Sequence, residues 1–207
     1  MKLKDREIMF TSIAMVLDKP VSKDSVFVEE FSEIIPVPLN VGDAAGGRIR
    51  IISSPRSQID IMLEQNRVQL RDNSGLEPGE KPLSRVAIDT LAKLKRECRA
   101  FGLNYDLVFS LESRKPPGEV IRDKFLNAKT LRTKIISPVL ATAVRLRYLK
   151  HTKTYNLILE PHGDLASDKL HVHLNVHQDA RSLPPHDTLA ESFKTSYGDL
   201  VRLVESL

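Results

Sequence analysis

The chain of 207 residues contains no tryptophan, one cysteine and only nine glycines. A lone cysteine, Cys98, excludes an internal disulfide framework and a cysteine-only zinc site, and it fits a reducing compartment. Nine scattered glycines exclude a collagenous chain, and a hydrophobic fraction of 41% excludes a disordered one. No run approaches the roughly 18 apolar residues of a membrane span, and the N-terminal MKLKDREIMF lacks the apolar core of a secretory signal. These absences predict a folded cytoplasmic protein with no membrane partner. At this length a core can form without a metal or disulfide staple, so a bound metal would serve function rather than folding.

Catalytic motifs are also missing. VGDAAGGR at 41–48 has the glycines of a phosphate loop without its Lys-Ser/Thr ending. Cys98 falls on an apolar stripe rather than beside a base, which marks it as a small core residue. The carboxylate pairs Glu29/Glu30 and Asp60/Glu64 have no nucleophile or metal motif nearby in sequence.

What is present is an uneven charge distribution. The 31 basic and 27 acidic side chains leave a net of only +4, but residues 1–113 carry −1, residues 114–153 carry +9 and residues 154–207 carry −4. A net of +4 demands no anionic partner, whereas a +9 segment of 40 residues departs from an ordinary solvated surface.

Hydrophobic periodicity places the elements. IMFTSIAMVL at 8–17 is nearly continuous in apolar and small residues, as in a strand buried on much of its surface. RIRII, QIDIMLEQ and RVQLRD alternate as three further strands, the first two antiparallel around Pro55. From Ser84 to Phe101 the period changes: Ile88, Leu91, Leu94, Cys98 and Phe101 fall at three- and four-residue steps, predicting a helix capped by Ser84. NYDLVFSLES at 104–113 reads as a strand, and the Arg-Lys-Pro-Pro at 114–117 as a boundary. Residues 118–134 predict a basic amphipathic helix. AVRLRYLK, YNLILE and KLHVHLNVH are strand-like, and TLAESFKTSYGDLVRLVESL ends the chain as a helix with a Thr188/Glu191 capping box.

Strand, strand, strand, proline-containing loop and helix thus occur twice. The predicted fold is α+β with two pseudo-repeated lobes, each an antiparallel sheet covered by a C-terminal helix. The lobes span 1–113 and 140–207, joined by a basic helical connector at 114–139. The closing stretch YNLILEPHGDLASDKLHVHLNVH, followed by ESFKTSYGDL, resembles the C-terminal end of a sporadically distributed family of bacterial proteins with no established activity. The resemblance implies a two-lobed fold and no site residues.

Two constellations suggest function. Eleven cations lie between Arg114 and Lys153, and of these Arg122, Lys129, Arg132, Arg145 and Arg147 are the expected contacts to a polyanion, whose condensed counterions they would release. Aromatic residues between them are too few for a base-stacking platform. Solvation, or neutralisation by Glu160, Asp164 and Asp168, is the alternative fate of these charges.

The second constellation is histidine: all six lie between His151 and His186. His171, His173, Asn175 and His177 share one strand face, and imidazoles two residues apart stand about 7 Å apart, within reach of one zinc ion with His162 or Asp164 as third ligand. Protonation near pH 6.5 would instead add positive charge beside the basic strand.

The reading that follows is a non-enzymatic binding or adaptor protein contacting an anionic partner, nucleic acid or an acidic protein surface, and needing no cofactor. The alternatives are a metal-dependent hydrolase or metal-binding protein using zinc at His171, His173 and His162, and a homo-oligomerising scaffold built on exposed sheet edges.

Overall fold

The computed structural model describes residues 2–21, 28–80, 82–113, 115–126, 141–164 and 166–207. Nine strands run through them: β1 (Lys2–Leu17), β2 (Asn40–Ala44), β3 (Ile49–Ser54), β4 (Ile59–Glu64), β5 (Arg67–Asp72), β6 (Cys98–Glu112), β7 (Val144–Lys150), β8 (Lys153–Pro161) and β9 (Lys169–Asp179). The described helices are α1 (Leu83–Leu94), α2 (Pro117–Phe125) and α3 (His186–Glu205), with a 3-10 turn at Val28–Glu33.

All nine strands form one sheet in the order β2-β3-β4-β5-β1-β6-β9-β8-β7, every neighbouring pair antiparallel. The expected α+β class and antiparallel pairing are therefore present, but the two separate lobes are not. The longest strands, β1 and β6, pair from Lys2 opposite Glu112 to Leu17 opposite Cys98 and weld the expected halves together. Separate lobes would leave each of these strands with a long unpaired edge, and pairing satisfies both rows of backbone groups. Outward from this seam, β1 is flanked by β5, the last strand of the meander that follows it, and β6 likewise by β9.

The buried positions of the strands point to the side carrying α1 and α3. Ile13, Ile61, Leu70, Leu103, Tyr105, Leu107, Phe109, Leu157 and Val172 meet Val86 and Leu91 of α1 and Leu189, Phe193, Leu200 and Val204 of α3 in a single core. Tyr105, fully buried, donates its hydroxyl to the Phe193 carbonyl at 2.8 Å and packs its ring 5.0 Å from that of Phe193, pinning α3 to the centre of the sheet.

Three boundaries differ from expectation. α1 stops at Leu94 because Lys95 adopts a left-handed conformation (φ 51°), and Cys98 and Phe101 begin β6 instead of continuing the helix. Nearly every residue from Cys98 to Tyr105 is buried, so this stretch carries no period-two signal to compete with the helical one. The helix begins after Pro82, and Ser84 is buried in its first turn without capping it. α3 begins at His186, so Thr188 and Glu191 lie inside the helix, and Glu191 accepts from the Thr195 hydroxyl at 3.2 Å rather than forming a capping box. The helix expected over 118–134 is described from Pro117 to Phe125; residues 127–140 lie outside the described residues.

Candidate functional site

Side chains that alternate with the buried rows point to the face turned away from α1 and α3, and there the register aligns polar residues. Asn40, Ser53, Asp60, Arg71, Ser12, Asn104, Asn175, Asn156 and Arg147 are consecutive partners across all nine strands. At about 4.8 Å per strand the row is some 38 Å long.

Its centre is a chain of hydrogen bonds. Asn156 Nδ2 donates to Asn175 Oδ1 (3.1 Å), Asn175 Nδ2 to Asn104 Oδ1 (2.7 Å), and Asn104 Nδ2 to Ser12 Oγ (3.0 Å), which also accepts from Gln69 Nε2 (3.0 Å). Each amide thus polarises the next. Asn104 and Ser12 are buried, so these bonds also satisfy groups that would otherwise be costly in the middle of a sheet. Gly102 makes room: a Cβ on it would stand 2.8 Å from Asn175 Nδ2.

Two residues further along the same face lies a charged cluster from three adjacent strands. Asp106 of β6 accepts from both imidazoles of β9, Oδ1 at 3.0 Å from His171 Nε2 and Oδ2 at 3.1 Å from His173 Nδ1. Glu160 of β8 faces the other nitrogen, His171 Nδ1, at 2.9 Å. A ring with a carboxylate at each nitrogen is fully satisfied only when both nitrogens carry protons.

The titration directions agree. Partial burial disfavours charged His171, but the hydrogen bonds to Asp106 and Glu160 outweigh it and hold its pKa above the ordinary histidine value. Burial likewise opposes the Asp106 carboxylate, and the bonds from His173 and His171 outweigh that and hold it below the ordinary range.

The arrangement can hold and exchange a proton. His171 and His173 are side by side as the sequence suggested, with the His162 ring 6.1 Å from that of His171. Among the described residues no three His, Cys, Asp or Glu side chains are grouped to hold a metal ion, and both nitrogens of His171 are taken by carboxylates. No serine, threonine or cysteine of the described residues is hydrogen-bonded to either ring. Cys98 is buried at the start of β6, where burial pushes its thiol up to about 11, away from thiolate reactivity at neutral pH.

The five basic residues expected to contact a polyanion do not all converge. Arg145 and Arg147 stand on β7, the last strand of the sheet; both are exposed and neither makes an ion pair among the described residues. Arg147 is the register partner of Asn156, where the amide chain begins. Arg122 is held on its own helix by Asp123 at 3.0 Å and Glu119 at 3.5 Å. Lys129 and Arg132 lie outside the described residues. The acidic residues that neutralise the basic segment are mostly not those expected: Lys115 pairs with Asp123 and Lys150 with Asp199, while Glu160 is engaged with His171.

Sequence reasoning missed Ser12, Gln69, Asn104, Asp106 and Asn156. Their one signal is a polar residue at the alternate positions of otherwise apolar strands, and nothing in the sequence aligns those positions. It also missed Arg71, whose guanidinium sits 3.9 Å over the Phe10 ring and covers the one aromatic that β1 presents on this face. No family model matches the chain, and no curated protein is similar to it.

Proposed function

We propose that this is a non-enzymatic binding protein whose β7 edge and adjoining polar face take an anionic partner, with nucleic acid as the partner class. The observation that carries the reading is the pair Arg145 and Arg147, exposed on the terminal strand, about 6.8 Å apart along it, and free of ion pairs among the described residues. An arginine already paired to a carboxylate must exchange that partner for a phosphate. An unpaired one gains the phosphate outright and releases a counterion.

Phe10 is already capped by Arg71, so among the described residues this face of the sheet offers no open aromatic platform. The mode supported is therefore backbone contact, tolerant of sequence, with the amide row beside Arg147 supplying further donors and acceptors to phosphate or sugar. Lys129 and Arg132, which the sequence grouped with these two arginines, lie outside the described residues.

The test is fluorescence anisotropy with single-stranded DNA and RNA over a salt series. The expected result is log affinity falling linearly with log salt. Arg145→Glu/Arg147→Glu is expected to flatten that slope by about 1.4, at about 0.7 for each single-strand phosphate that the protein no longer neutralises. No binding at low salt, or an unchanged slope in the double variant, overturns the reading.

A further inference from the structure

On the opposite face of β7 from Arg145 and Arg147, a cleft of about 350 Å³ opens between the ends of β7 and β8 and the last turns of α3. One wall is aromatic. Tyr148 and Tyr155 are register partners on the two strands, and their rings stack with centroids 5.0 Å apart and planes 12° from parallel. Tyr155, the inner ring, is buried, while Tyr148 keeps 40% of its surface exposed.

The floor is Leu174 of β9 with Leu200 and Leu203 of α3. The rim is charged: Lys150 Nζ lies 3.2 Å from Asp199 Oδ2, and the Arg202 guanidinium bonds the other oxygen of the same carboxylate. One carboxylate thus gathers two cations, leaving a net positive charge and several N–H donors of Lys150 and Arg202 uncommitted to Asp199.

Each part of this cleft limits what fits it. A stack of two parallel rings whose outer member is exposed accepts a third planar ring, because offset stacking is favourable for any π-face and also removes apolar surface from water. The leucine floor excludes a wholly polar occupant. The cations at the mouth favour an anionic group on the far end of the ligand, since two of them share the single carboxylate of Asp199 and the N–H groups it does not take remain for a second anion. The size suits one ring system with one substituent rather than a long chain.

We infer that this cleft is a binding site for a planar aromatic ring carrying one anionic group, the chemistry of a nucleoside monophosphate, with the ring on Tyr148 and the anion at Lys150 and Arg202. The site shares no residue with the proposed nucleic-acid surface, because successive side chains of β7 point to opposite faces. Either proposal can fail without the other.

Isothermal titration of the full chain with AMP, adenosine and inorganic phosphate tests it. AMP is expected to bind more tightly than adenosine or phosphate alone, and Tyr148→Ala to weaken AMP at least tenfold. Lys150→Gln is expected to weaken AMP severalfold while leaving adenosine unchanged. Tyr148→Phe keeps the ring and is expected to bind AMP as the parent does, which separates lost stacking from a disturbed strand. A 5′-phosphorylated oligonucleotide titrated into the Arg145→Glu/Arg147→Glu variant distinguishes the two sources of this chemistry: competition with AMP supports a chain terminus as occupant, and none supports a free nucleotide. No AMP binding at millimolar concentration overturns the assignment, as does equal affinity in Tyr148→Ala.

Discussion

Single side chains on the polar face have roles that their types do not announce. Gly102 lies in the middle of a central strand, where glycine is usually a weakness, and is there because the Asn175 amide occupies the space of its side chain. Gly102→Ala is expected to push that amide away and break the Asn175–Asn104 bond. The cost should be about 1–3 kcal/mol, because buried Asn104 is left with an unsatisfied oxygen. Urea denaturation measures it, and the cost should shrink in an Asn175→Ala background, where the clash has no target.

His171 makes stability depend on pH. Its pKa is raised on folding, so its contribution is complete below the ordinary value of 6.5 and is lost as pH rises through the folded value. Asp106 has the opposite sign: its contribution is present above 3.8 and disappears as pH falls through its lowered folded value. The melting temperature is therefore expected to decline on the alkaline side from about pH 6.5 upward, and His171→Gln should remove that decline. An identical alkaline limb in the variant would place its origin elsewhere.

Among elements, α1 shows how a short connection is enforced. Lys95 takes the left-handed conformation that ends the helix, with its N–H near the Ala92 and Leu91 carbonyls, and three residues later β6 begins. Left-handed backbone costs a side-chain-bearing residue roughly 1–2 kcal/mol, and Lys95 is not buried. Lys95→Gly is therefore expected to stabilise by up to about 1 kcal/mol, less what glycine adds to the freedom of the unfolded chain; thermal denaturation gives the sign.

The same element shows what a pattern can hide. β4, β5 and β9 were legible because one face is buried and the other is not, giving Ile59, Ile61 and Leu63 against Asp60, Met62 and Glu64, and Val172, Leu174 and Val176 against His171, His173 and Asn175. The start of β6 was not legible, since it is buried on both faces and its Cys98 and Phe101 happen to extend the spacing of α1.

At the scale of the molecule, the seam between β1 and β6 makes one structure of what reads as two. Unfolding of the intact chain is expected to be a single transition, coincident in far-UV dichroism and tyrosine fluorescence; two separated transitions would restore the picture of independent lobes. A fragment of residues 1–113 is expected to self-associate on gel filtration. It would expose the β6 edge from Ala100 to Ser110, where β9 pairs, and would strip Tyr105 of its α3 partner.

By itself the sequence determined the class of fold, most of the strands, the two long amphipathic helices, the alternation of histidines on β9 and the concentration of positive charge in residues 114–153, because each is written in local periodicity or composition. Only the tertiary structure decided that the sheet is continuous, that Asn104, Asn175 and Asn156 touch, that Asp106 lies between two histidines 65 and 67 positions away, and that Tyr148 stacks on Tyr155 above α3. Those facts depend on strand order and register. Both are set by how distant strands bury their apolar faces together, and no local spacing encodes that choice.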